Sequence, residues 1–134
     1  MRPSDEMMSL LYHQLGRIFF LVAYADKVVH QKEVAALKKS INDFWLDYDN
    51  TFDEFAEDTA FQIEFTFDYL VERPKSENAI LTDFTDFVAE HKSLFTTKMN
   101  ELIVTTANMI ADSYAGTSKE EAKIIKKIRT ILEK

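Results

Sequence analysis

Apolar residues along this chain recur mostly at steps of three and four, the spacing that lines one face of an α-helix. Leu11, Leu15, Ile18, Val22 and Ala25 form the first such stripe, and Ser4 is placed to cap the helix that carries it. Tyr12, Phe19 and Phe20 widen the apolar face, as expected for a helix buried on much of its surface. Gly16 lies inside this stripe, where glycine costs about 1 kcal/mol against alanine, so it predicts a close helix crossing. A second helix is predicted from near His30 to about Trp45, presenting Val34, Leu37, Ile41, Phe44 and Trp45. The Asp-rich stretch Asp47–Glu57 reads as a loop or irregular turn.

Residues Asp58–Glu72 carry two patterns at once. Phe61, Ile63, Phe65, Phe67 and Tyr69 alternate with polar residues, which fits a strand, whereas Ala60, Ile63, Phe67, Leu70 and Val71 fit a helix. The helix is preferred, because no Gly-containing turn flanks the stretch and no other segment could pair with it as a strand. Pro74 ends it, and Ser76 caps a helix with Ile80, Leu81, Phe84, Phe87 and Val88 on one side. Thr96 or Thr97 opens the next, which carries Met99, Leu102, Ile103, Thr106, Ile110 and Ser113 and stops near Gly116. Ser118 and Glu121 form a capping box at the start of the last helix, with Ile124, Ile125, Ile128, Ile131 and Leu132 as its buried face. Lys126, Lys127, Arg129 and Lys134 then complement the negative end of its dipole. The expectation is an all-α bundle of about six helices in a single domain, 1–134.

The two ends of the chain repeat one another at an offset of 88 positions. Val22 falls on Ile110, Ala23 on Ala111, His30 on Ser118, Glu33 on Glu121, and Lys38-Lys39 on Lys126-Lys127. Each copy is a long apolar segment, a short break, and a second segment with Glu at its third helical position.

Composition narrows the class. Only four of the 134 residues are Gly or Pro, too few to build a set of tight hairpins. With no cysteine there is no disulfide framework, thiolate metal site or thiol nucleophile. Uncharged runs such as Ile18–Ala25 and Leu102–Ala111 fall well short of the roughly 18–20 apolar residues of a membrane span. Asp5 and Glu6 stand where a signal peptide would be basic, so a cytoplasmic protein is expected.

Charge is unevenly placed. Residues 43–90 hold fourteen acids against Arg73 and Lys75, a net −12, between ends that are weakly basic. Such a surface repels nucleic-acid phosphate and anionic lipid, and favours cations or a basic protein partner. Eight of the eleven Phe fall in the same span. Phe52 and Phe55, set among Asp49, Asp53 and other acids in the predicted loop, are the expected partner contacts, since aromatics ringed by charge mark contact sites.

The stretch Ala23-Tyr24-Ala25-Asp26-Lys27-Val28-Val29-His30-Gln31-Lys32-Glu33 resembles the Ala-x-Ala-Asp-Gly-x-Ile-x-x-x-Glu signature of the TerB-like (tellurite-resistance protein B) family, also seen in the DnaJ-like membrane-chaperone N-terminal domain. Lys27 stands at the usual Gly, and Tyr114 where a second copy would carry Asp. The resemblance implies two helix-loop-helix units related by an approximate twofold. It also implies Asp26 and Glu33, with Asp112 and Glu121 beside them, as ligands for Ca²⁺ or Mg²⁺. Helix capping explains the same spacings and is the preferred reading, because each Glu stands three residues after a capping position.

Other chemistry finds little footing. Asp47-Tyr48-Asp49-Asn50-Thr51-Phe52-Asp53 looks like an EF-hand loop, but Phe52 replaces the glycine its bend requires. Neither a Glu-x-x-His pair nor a His-Glu-x-x-His motif is present, and two glycines cannot build a phosphate-cradling loop. The expectation is a non-catalytic interaction or stress-associated module with no cofactor beyond a weak divalent cation. Cation binding or sensing is the alternative, and a hydrolase the remote one.

Overall fold

The computed structural model describes residues 4–50 and 59–134, and every regular element in them is helical. Helix α1 spans Asp5–Ala23, and Ser4 caps it by accepting a hydrogen bond from the Met7 amide at 3.1 Å. It is the axis of the bundle. Leu11, Tyr12, Leu15, Ile18, Phe19, Phe20, Val22 and Ala23 are all fully buried, because neighbours surround this helix on most sides.

Helix α2, Gln31–Ser40, runs without a break through a π-helical turn, Ile41–Trp45, into α3, Leu46–Asn50. Part of the stretch expected to be loop is therefore helical up to Asn50. In the π turn the Leu46 amide reaches back five residues to the Ile41 carbonyl. That wider turn lets Leu37, Ile41 and Trp45, each four apart, all point into the core. It also rotates Phe44 outward, to 39% exposure, so Phe44 does not share the buried face expected for it.

Helix α4, Phe61–Glu72, resolves the double pattern in favour of a helix. Ile63, Thr66, Phe67 and Leu70 form its buried face. Phe65, Tyr69 and Val71 point to solvent; Val71, expected on the inner face, sits at its edge and is 38% exposed. Helix α5, Glu77–Glu90, is capped by Ser76, and Ile80, Phe84 and Val88 face inward while Leu81 and Phe87 are half-buried. A short 3₁₀ turn, Lys92–Leu94, leads to α6, Thr97–Asp112, capped by Thr96. Helix α7, Lys119–Leu132, closes the chain's described part with Ile124, Ile125 and Ile128 buried. Counting α2, the π turn and α3 as one rod, the bundle has six rods among the described residues.

Helix α1 packs along α4 most extensively and also touches α2, α5, α6 and α7. Gly16 permits the closest approach. A Cβ placed on it would lie 2.6 Å from the Ile63 carbonyl oxygen and 2.7 Å from Thr66 Cβ, so only glycine fits the crossing. On the other side the buried Trp45 Nε1–H donates to Thr106 Oγ1 at 3.0 Å, fixing the π turn against α6. Tyr12 meets the Trp45 ring edge-on at 6.2 Å, joining α1 to the same cluster. No helix among the described residues is long and apolar enough to cross a membrane.

Candidate functional site at the paired loops

Two loops with the same local construction meet where α1 leads into α2 and α6 into α7. In the first, Lys27 takes φ 70°, in the left-handed region that brings the chain round sharply. Its amide bonds to the Tyr24 carbonyl at 2.8 Å. Asp26 Oδ1 accepts from the Val28 amide at 3.2 Å, the two-residue step by which Asp stabilises a turn. Glu33 then reaches back, and its Oε1 accepts from the His30 amide at 2.8 Å.

In the second loop, Ala115 takes φ 56° and Gly116 φ 80°. Glu121 Oε1 accepts from the Ser118 amide at 2.8 Å, and Ser118 Oγ accepts from the Glu121 amide at 3.1 Å. The positive φ of Lys27 and Ala115, the starts of α2 and α7, and the two Glu caps all stand 88 positions apart.

The loops touch through rings and through carboxyls. His30 stacks flat on Tyr114, with centroids 3.6 Å apart and planes 17° apart. His30 Nε2 also lies 3.8 Å from Asp26 Oδ2. Glu33 and Glu121 are buried, at 1% and 3% exposure. Burial is the main reason that the Glu33 pKa is pushed up to about 8. A side-chain hydrogen bond to Glu121 adds to the rise, and the charges of Glu121 and Asp26 raise it further. The His30 amide pulls the other way without prevailing. Glu33 therefore keeps its proton at neutral pH and can donate it to the Glu121 carboxyl, which removes the repulsion of two buried anions.

Of the four expected cation ligands, the structure joins Glu33 and Glu121 and brings Asp26 within electrostatic reach. Asp112 lies apart, exposed at the end of α6 in a shallow depression with Ala36 and Lys39. Among the described residues no group of three or more His, Asp or Glu is gathered closely enough to hold a metal ion. Each buried Glu already commits one oxygen to a helix amide. The expected partner contacts Phe52, Phe55 and Asp53 lie outside the described residues, as does the side chain of Asp49, whose backbone belongs to α3.

Sequence reasoning missed two features. The contact between Glu33 and Glu121 was one; its available signal was their matching capping positions, 88 residues apart. The exposed ring pair of α4 was also missed. Phe65 and Tyr69, one turn apart, are 65% and 58% exposed, and Glu64, Asp68 and Glu72 form the neighbouring row of the same helix. Both rings fall off the helical face Ala60, Ile63, Phe67, Leu70, which was the available signal. No family model matches the chain, and no curated protein or solved structure is similar enough to stand as a relative.

Proposed function

We propose that this chain is a non-catalytic interaction module that binds a basic protein partner through the acidic, aromatic side of its middle helices. The observation that carries the reading is the exposed pair Phe65 and Tyr69 beside the Glu64, Asp68 and Glu72 row. Large rings in water lose their hydration cost on docking, while the flanking carboxylates steer a cationic partner and set its orientation. Within this reading the fold is TerB-like, with two helix-loop-helix units related by an approximate twofold. The matched loop geometry at 88 residues' separation supports that relation.

Cation binding at Asp26, Glu33, Asp112 and Glu121 has less behind it. Ca²⁺ takes six to eight oxygens, about, and here two carboxyls are turned to capping while Asp112 is remote. A calcium titration followed by the melting temperature separates the two readings: a saturable rise would favour the cation.

The interaction reading is tested by affinity capture on wild-type protein and on the double variant Phe65→Ser/Tyr69→Ser. Basic partners should be lost with the variant at an unchanged melting temperature. They should also weaken as salt rises, because exposed charges are screened beyond about 8–10 Å at physiological ionic strength. A captured set that is the same for both proteins would remove the α4 surface from the account.

A further inference from the structure

A groove of about 280 Å³ runs between α1 and α4, and its lining is unlike the rest of this acidic chain. His13 and Arg17 come from α1, Phe65, Thr66 and Tyr69 from α4, and Lys75 from the link to α5; no acid lines it. We propose that this groove binds an aryl carboxylate, its ring lying against Phe65 and Tyr69 and its carboxylate on Arg17 and Lys75.

Arg17 is the main reason. Its side chain is only 8% exposed, yet the described structure gives its five N–H donors one bond, from Nη2 to Asp83 Oδ2 at 3.0 Å. None of its other nitrogens is both buried and unpartnered, so those donors stay in contact with water, and Arg17 lines the groove where a carboxylate can replace that water. Asp83, itself 56% exposed, pairs with that one nitrogen and offsets part of the Arg17 charge. Lys75 adds a second positive charge, and among the described residues it makes no ion pair. The two cations are near enough to act together: after burial, Arg17 and Lys75 are what lower the His13 pKa. His13, thus favoured as neutral, is held by Thr66, with Nδ1 3.0 Å from Oγ1, and walls the groove without adding charge.

The rings supply the other half of the recognition. Phe65 and Tyr69, four residues apart, form one wall and leave more than half their surface in water. An inserted aromatic ring would meet them at offset or edge-to-face geometry while its acid reaches the cations. The groove volume suits a compact ligand of a single ring and short acid arm, not a long acyl chain. This inference stands apart from the partner reading, because it concerns the inner flank of the two rings and their cationic neighbours.

The probe is 3-phenylpropionate, titrated into the isolated chain and followed by NMR shifts of Phe65, Thr66 and Tyr69. Saturable binding is expected at about 0.1–1 mM, as small ligands of this size give. The neutral 3-phenylpropionamide should bind about tenfold more weakly, the value of one charge-assisted hydrogen bond. Lys75→Glu, an exposed change that leaves the core untouched, should weaken the carboxylate by at least about tenfold and spare the amide. Phe65→Ser should weaken both. Equal binding of acid and amide, shifts centred elsewhere, an unaffected Lys75→Glu variant, or no saturation by about 10 mM would each overturn the proposal. No partner protein takes part, so failure here leaves the partner reading where it stands.

Discussion

Lys27 and Ala115 occupy the same left-handed backbone state, at φ 70° and 56°, 88 positions apart. A side chain there costs on the order of 1–2 kcal/mol, which is why glycine is the usual choice in such a turn. Lys27 recovers part of the cost by laying its Nζ over the Tyr24 ring, 5.2 Å from the centroid. Lys27→Gly should therefore stabilise the fold by about 0.5–1 kcal/mol, measured by chemical denaturation. A loss of stability would show that the cation–ring contact outweighs the backbone strain.

The shared proton of the Glu pair predicts how stability depends on pH. Glu33 titrates near 4.5 in an open chain and at about 8 in the fold. Between those values the folded state holds a proton that the unfolded state has released, so this group's contribution is complete below 4.5 and is lost as pH rises through 8. His13, whose pKa is lowered from 6.5, acts with the opposite sign, but only below 6.5. The raised Tyr48 acts only above 10.0. Melting temperature should accordingly fall between about pH 6.5 and 8.5. Glu33→Gln, neutral at every pH and still able to donate to Glu121, should flatten that slope. If the slope survives the substitution, the titrating group is another one.

Because the two Glu residues share a proton as well as capping their own helices, their substitutions should not add. Glu33→Ala and Glu121→Ala should each cost about 0.5–2 kcal/mol through the lost cap. The double variant should differ from their sum by about 0.5 kcal/mol or more, as interacting neighbours do. Strict additivity in a denaturation cycle at pH 7 would mean that the carboxyls do not communicate.

Gly16 offers a test of packing in which the sign alone is informative. In an exposed helix Gly→Ala stabilises by about 1 kcal/mol. Here the new methyl group meets the Ile63 carbonyl and Thr66 Cβ, at 2.6 and 2.7 Å. Gly16→Ala should instead destabilise by about 1–3 kcal/mol, the usual range for overpacking. A gain would show that α1 and α4 can separate without loss.

What the sequence made legible was mostly local. Ser4, Ser76, Thr96 and Ser118 mark helix starts that the structure reproduces, because a cap is decided within three residues of its own position. The stripe of α1 was readable for the same reason. Phe44 was not, since its direction depends on an i→i−5 turn that no spacing rule announces. The candidate site divides likewise. Glu33 and Glu121 were readable as caps, but their mutual contact and the His30–Tyr114 stack arise only when chain segments some 80 or more residues apart are brought together. The aromatic row of α4 was hidden by its own alternation, which imitates a strand.

Helix α1 is covered in part by α6 and α7, elements formed from the far end of the chain. A nascent polypeptide carrying α1 through α5 would thus show the ribosome-proximal solvent a strip of fully buried-in-the-fold residues with nothing yet made to cover it. Contacts at such separation also place loop closure early among the obstacles to folding. Helices α6 and α7 act, in effect, as the step that closes the cover over α1, and until they emerge the axial helix is a natural client for any chaperone that binds bare apolar surface.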